Sequence, residues 1–441
     1  MRVLALDVGS SSTRACAYDE RGREAGEPAR RAYEAHYRPG GAVELDADEL
    51  VRASEAVVAE AGAGPDATGI SCFWHSLLLL DQKERPLTPV LLWQDRRSVA
   101  QAEELRARLD PDAVHARTGC FLHPSYWPAK LAWLREQGTL DQARRIVSFA
   151  DYLFLRLTGE LRTTLSTASG SGLLDLRARA WDVELLDTLG VDERLLPPID
   201  DEPAGSMFPP LGDGACSNLG SGCVTPDRAA LMIGTSGAYR VVRQGEPAPR
   251  DGLFSYLLDE DRVVEGGSIS DGGNLLAWLD RTLKPESHEP VEADAHGLTF
   301  LPLLGGERSP GWNPRATGAI AGLTFEADPA GLRQAALEGV AYRVAEIAER
   351  LPEVGEVVAT GGALLKDEWW MQVFADVLAL PVTASAVEEG SARGAAVHVL
   401  ERVGADPDPA PLGETYEPNR ERTAIYAEAR ERQRQLYRRL F

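Results

Sequence analysis

Apolar residues in this chain change their spacing from one stretch to the next. They run without a break through "VLALDV" (3–8), stop at Gly9 and three serines, and resume in "TRACAY" (13–18). That pattern predicts a strand, a tight turn and a second strand. From residue 46 the spacing turns helical in "DADELVRASEAVVAEAG", with Asp46 or Asp48 available as N-cap and Gly62 as C-cap. Strand-like runs return in "TGISCFWHSLLLLD" (68–81) and "LTPVLLWQD" (87–95). "PSYWPAKLAWLREQG" (124–138) and "DQARRIVSFADYLFLRLTG" (141–159) read as amphipathic helices, each closed by a glycine. Strands alternating with helices predict an α/β architecture.

A second beginning appears at residue 229. "AALMIGTSGAYR" repeats the opening plan of apolar strand, small-residue turn and a second strand carrying an arginine. After it come "GGSISDGGNLLAWLDRTL" (266–283), a helical stretch "ADPAGLRQAALEGVAYRVAEIAERL" (327–351), a strand "EVVATGG" and a helix "DEWWMQVFADVLAL". Elements follow in similar order in both halves, which suggests a duplicated unit. The boundary is expected near residue 226, giving domains 1–225 and 226–441.

Composition narrows the setting. A chain of 441 residues is too long for one hydrophobic core, and 44% apolar residues can fill two or three. With 46 basic and 68 acidic residues the formal charge is −22, which repels phosphate backbones and anionic lipid headgroups. Nucleic acid and membrane are therefore not expected as partners. There is no apolar run of the ~20 residues that span a bilayer, and the opening lacks the apolar core of a secretory signal. A cytoplasmic location follows as the expectation. Five cysteines form no C-x-x-C pair, so they read as reduced, buried apolar residues rather than a zinc site or disulfide frame.

Turns of glycine and hydroxyl residues after a strand offer backbone N–H groups and O–H donors with little bulk, which suits phosphate oxygens. Asp7 beside the first turn could hold a hydrated Mg²⁺, since magnesium takes oxygen ligands and keeps several waters. A serine-rich hairpin with no ligand satisfies the first stretch equally well when it is read alone. Two such turns facing each other could grip a triphosphate. The glycines of "ATGGALLKDEWW" (359–370) and "SDGGN" could admit a flat base or merely connect strand to helix.

Taken in order, "LALDVGSSSTR", "HSLLLLDQKERPLTPVLLWQDRRS", "TTLSTASGSGLLDLRARAWD", "GDGACSNLGSG", "IGTSGAYR", "FLPLLGGERSPGWNPRATGAIAGL" and "TGGALLKDEWWMQVFADVLALPV" resemble the FGGY family of carbohydrate kinases, most closely its gluconokinase-type members. The resemblance covers nearly the whole chain. It implies two RNase H-like, actin-type ATPase domains with a cleft between them, and phosphoryl transfer from ATP with Mg²⁺ to a sugar or sugar-acid hydroxyl. By the same resemblance, Gly9, Ser10, Ser11, Ser12 and Thr13 form the first phosphate turn, and Gly234, Thr235, Ser236 and Gly237 the second. Gly361, Gly362 and Ala363 match the adenosine segment, with Gly273 near the nucleotide. Trp74, His75 and Asp95 match substrate contacts, and Asp213 matches the catalytic base. Arg96 and Arg97 are candidates for a substrate carboxylate through their planar forks.

The chain departs from the family pattern at "DEPAGSMFPPLGDG" (201–214), which is short and holds two adjacent prolines, and at 283–297, which is abbreviated. Other readings stay open: a kinase for xylulose, ribulose or glycerol, or a non-catalytic actin-like sensor of sugar or nucleotide on the same fold. Only a catalyst needs a base at Asp213. A homodimer is left open.

Overall fold

The computed structural model describes residues 1–62, 64–284, 290 and 292–441. Two mixed sheets form its frame. The first runs, edge to edge, Leu211–Gly212, Ala67–Cys72, Val3–Val8, Ser12–Tyr18 and Ala29–Ala32. Val3–Val8 is antiparallel to Ser12–Tyr18 and parallel to Ala67–Cys72. All six of its residues are buried, as expected of an apolar run enclosed on both sides, and Asp7 is its one charged member.

The second sheet runs Phe254–Leu257, Arg262–Ile269, Gly237–Gln244, Arg228–Ile233, Glu356–Thr360, Val382–Ser385 and Leu412–Tyr416. Its five central strands repeat the first sheet: a three-strand antiparallel meander, then two strands parallel to the first of the meander. Strand order thus reads 3-2-1-4-5 in both sheets, the order of a duplicated α/β unit with an extra strand at each edge of the second copy.

Helix ends follow side-chain chemistry. Asp46 accepts from the Glu49 amide to cap Ala47–Glu60, which ends at Ala61, one residue before the expected Gly62. The expected helix over 141–159 is shorter: Ser148 and Asp151 form a capping box that starts it at Phe149, and Arg145–Val147 instead pairs with Leu78–Leu80 as a strand. In 87–95 only Val90–Leu91 is a strand. The abbreviated stretch at 283–297 lies partly outside the described residues.

The Gly390–Arg402 helix crosses between the two halves. It comes from the second half of the chain, yet Ala392, Ala395, Ala396, Val399 and Leu400 pack in one cluster with Val3, Ala5, Ala67 and Leu219 of the first. The backbones touch there: a Cβ on Gly394 would fall 1.8 Å from the Cys216 carbonyl oxygen, and one on Gly220 equally close to that of Gly390. All five cysteines are buried and free. Among the described residues no helix is long and apolar enough to cross a membrane.

Candidate active site

The first turn hangs between the two opening strands. Gly9 donates to the Ser12 carbonyl at 2.9 Å, and the Tyr33 hydroxyl donates to the Gly9 carbonyl. Gly9, Ser10 and Ser11 line a cavity of about 250 Å³ between the sheets, and Thr235, Ser236 and Gly237 of the second turn line the same cavity. Ser12 and Thr13 do not reach it. Both are buried in the second strand, where Thr13 Oγ1 donates to the Asp7 carbonyl at 3.3 Å and Ser12 Oγ accepts from Arg30.

The glycine segments converge behind the second turn. The Gly273 amide donates to the Gly234 carbonyl at 2.7 Å. A Cβ on Gly273 would lie 3.0 Å from that of Ala363, and one on Gly361 would lie 2.4 Å from the Ile233 carbonyl oxygen. Gly361 and Gly362, with Lys366, Glu388, Gly390 and Ser391, line a larger cavity of about 670 Å³. Ala363 and Gly273 support its wall rather than line it.

Asp213 stands where the two cavities meet and lines both, together with Arg14, Met232 and Arg240. The Pro209-Pro210 pair precedes Leu211–Gly212, which pairs with Ser71–Cys72 at the sheet edge, where a proline's missing donor is harmless. The short approach therefore still delivers Asp213 to the first turn of the Asp213–Gly220 helix. Burial pushes its carboxyl above the ordinary range, opposed by the Arg240 guanidinium and by the Gly214 and Trp74 amides. The Gly214 amide donates to Asp213 Oδ1 at 2.8 Å. The glycines flanking Asp213 make room for protein rather than ligand: a Cβ on Gly212 would fall 1.9 Å from the Trp74 indole, and one on Gly214 2.4 Å from it.

Trp74 and His75 line the smaller cavity with Trp93, Gln94, Tyr256 and Arg308. Trp74 Nε1 donates to the Ser166 carbonyl at 3.0 Å. His75 Nδ1 lies 2.6 Å from the Gly170 carbonyl, which can only accept, so Nδ1 carries the proton and Nε2 is the ring's acceptor. Burial pulls the His75 pKa down to about 3, so the ring is neutral at ordinary pH.

Asp7 is buried on the wall of the larger cavity. Ser71 Oγ donates to its Oδ1 at 2.8 Å, and Arg14 Nε lies 3.1 Å from its Oδ2, while Arg14 also pairs with Glu389. Burial raises the Asp7 carboxyl, with Arg14 opposing. Oxygen donors suit Mg²⁺. Since both Asp7 oxygens already have a partner, the residues fit an ion held chiefly by phosphate and water, with Asp7 sharing its charge.

Of the remaining candidates, Asp95 and Arg96 line a further cavity that shares Trp93, Gln94 and Arg308 with the smaller one, and Arg97 lies apart. Asp95 is buried and accepts from Val43 N, Arg97 N and the Arg97 guanidinium, whose Nη2 is 2.6 Å from Oδ2. Arg97 also pairs with Glu44 and covers the Trp133 ring, so its charge is satisfied away from the cavities. Arg96 donates to the Pro314 carbonyl and ties the two halves together. Arg14, Arg240, Arg308 and Trp93 are functional candidates that motif reading left out. Arg14 and Arg240 carried a signal, since each follows its turn on the second strand of its hairpin. Arg308 and Trp93 come from separate stretches and meet only in the fold.

Residues 2–208 match the model of the N-terminal domain of the FGGY family of carbohydrate kinases, and residues 229–399 match that of the C-terminal domain. The gluconokinase of Bacillus licheniformis is 27% identical, covering 90% of this chain and 86% of the relative. The glycerol kinase of Thermus brockianus is 33% identical over 89% and 88%. Among solved structures, a gluconate kinase from Lactobacillus acidophilus superposes with a TM-score of 0.90 at 25% identity, covering 100% of this chain and 98% of that one. A ligand-bound xylulose kinase from the same organism gives 0.91 at 25% identity with the same coverage.

Proposed function

The chain belongs to the FGGY family of carbohydrate kinases and is a sugar-phosphorylating enzyme; from that premise we propose that it moves the γ-phosphoryl group of ATP onto the terminal hydroxyl of gluconate, giving 6-phosphogluconate. The observation that carries this reading is the position of Asp213 on the wall shared by the two cavities. Glycine segments suited to a nucleotide line one cavity, while aromatic rings and hydrogen-bonding groups suited to a sugar line the other.

Phosphoryl transfer asks the protein for positioning and charge rather than covalent work. Amides and hydroxyls of Gly9–Ser11 and Thr235–Gly237 hold the phosphates from both sides. Asp213 takes the proton of the acceptor hydroxyl as its oxygen bonds to the γ-phosphorus and the bond from phosphorus to the ADP oxygen breaks. A carboxyl raised by burial suits that task, because it binds the proton more strongly than an exposed aspartate. His75 Nε2 and Gln94 receive and direct acceptor hydroxyls. Asp7 would help to hold Mg²⁺, which would supply neutralising charge for the group in transit. The enzyme works in the cytoplasm, in keeping with its net charge and free cysteines.

The glycerol kinase at 33% identity supports a second reading, a neutral polyol as acceptor. Coupled ADP release over gluconate, xylulose, ribulose and glycerol decides between them, with highest kcat/KM expected for gluconate. In Asp213→Asn, turnover is expected to fall ~10²–10⁴-fold with ATP and acceptor binding retained. Near-normal turnover would move the base elsewhere, and acceptor binding lost at unchanged saturated turnover would make Asp213 a binding residue.

A further inference from the structure

Arg308 lies in the smaller cavity with Trp74, His75, Trp93 and Gln94, on the loop that carries "GGERSPGW". It is 8% exposed. Its Nη2 donates to the Ile269 carbonyl at 2.8 Å, and its guanidinium carbon stands 4.0 Å from the centre of the Trp93 ring. Its Nε is buried and has no partner. Among the described residues no carboxylate lies within ion-pair distance of it.

Arg97 is locked to Asp95 and Glu44. Arg96 also donates to a backbone carbonyl, but it does not line the cavity that Asp213 lines. Arg240 faces Asp213. The groups that act electrostatically on Arg308 are Tyr126, Tyr256, Asp271 and Asp213. Asp271 is a weak counter-charge, because burial pushes its carboxyl up to about 7. A buried cation without a counterion is costly to desolvate. A bound carboxylate offsets that cost and takes the donors that Arg308 leaves free.

The loop is held on both sides of Arg308. Glu307 accepts from Arg343, from the Tyr437 hydroxyl at 2.6 Å and from the Asn313 amide at 3.2 Å. Ser309 N donates to the Ser268 carbonyl at 2.9 Å. The guanidinium is thus presented by a fixed frame.

We propose that Arg308 selects the acceptor by binding a carboxylate, so that the preferred acceptor class is the open-chain aldonates, with the acid end on Arg308 and the reacting hydroxyl on Asp213. The inference rests on the kinase reading above, and it replaces Arg96 and Arg97 as the carboxylate ligands.

The test compares gluconate with D-glucitol, which has the same carbon chain with a hydroxymethyl group in place of the carboxylate. The wild-type enzyme is expected to favour gluconate in kcat/KM by about 10²-fold, the usual scale for a buried charge pair. In Arg308→Gln that ratio should collapse toward one, mainly through KM for gluconate. Arg308→Lys, which keeps the charge and most of the bulk, should restore part of it, and it serves as the readout if the glutamine variant does not fold. Equal losses on both acceptors would make Arg308 a structural residue. A wild-type enzyme that handles glucitol or another neutral acceptor as well as gluconate would overturn the proposal and leave the kinase standing. No ADP release with any acceptor would end both.

Discussion

Lys130 Nζ donates to the His75 carbonyl at 2.9 Å, so a lysine with no exposed surface fixes a residue held in the left-handed region at φ 66°. A second bond from Nζ reaches the Ser125 carbonyl at 3.0 Å. Residues other than glycine adopt that backbone uncommonly, histidine among those that do so more readily than most. Lys130→Met leaves both carbonyls unpaired and frees His75 to turn. The expected outcome is a rise of about tenfold in KM for the acceptor with KM for ATP unchanged, read from steady-state kinetics. Equal changes in both would mark a general loss of structure.

The same lysine makes stability depend on pH. Burial pulls its pKa from the ordinary 10.5 down to about 7. Between those values the unfolded chain holds a proton that the folded one lacks, so raising the pH favours folding. Relative to Lys130→Met, the wild-type protein should gain up to about 1.4 kcal/mol per pH unit across that window and gain nothing below it. Urea titrations of both proteins from pH 6 to 10 would show it, and a constant gap would refute it.

Arg240 opposes the upward shift of the Asp213 carboxyl. Arg240→Gln removes that opposition, so Asp213 should protonate at higher pH and the acid limb of the pH profile of kcat/KM should move alkaline. His75, neutral at ordinary pH, should contribute no limb in this range. An unmoved limb in the variant would mean that another group sets it.

Two glycine substitutions should separate packing from binding. Gly212→Ala drives a methyl into the Trp74 indole and should cost about 1–3 kcal/mol in thermal unfolding, along with most of the turnover. A Cβ on Gly362 meets nothing within 4 Å, though the residue lines the larger cavity. Gly362→Ala should melt like the wild type and raise KM for ATP several-fold. Reversed effects would exchange the two roles.

Local pattern carried the two hairpins and the capped helices, because turn chemistry and apolar period act within a few residues; Asp213 came from the family resemblance. Asp95 also came from the resemblance, and what no sequence window shows is that Val43 and Arg97 bond to its oxygens in the fold. Ser12 and Thr13 look identical to Ser10 and Ser11 on paper, and strand pairing alone turns them inward. Arg308 and Trp93 stand 215 positions apart and meet through packing between the halves, a relationship that no window of sequence contains.

The Gly390–Arg402 helix bears on how the molecule is made. As a ribosome releases the chain, the strands and helices of residues 1–220 appear first, with the face around Val3, Ala5 and Ala67 still waiting for its cover. At ~5–20 residues per second that cover follows on the order of ten to forty seconds later. For that interval a nascent chain holds an apolar surface lined by small residues, shaped for one helix and open to others. Translation speed and chaperone attendance therefore bear on yield, and a gene split at the boundary between the sheets would leave that surface bare in the first fragment.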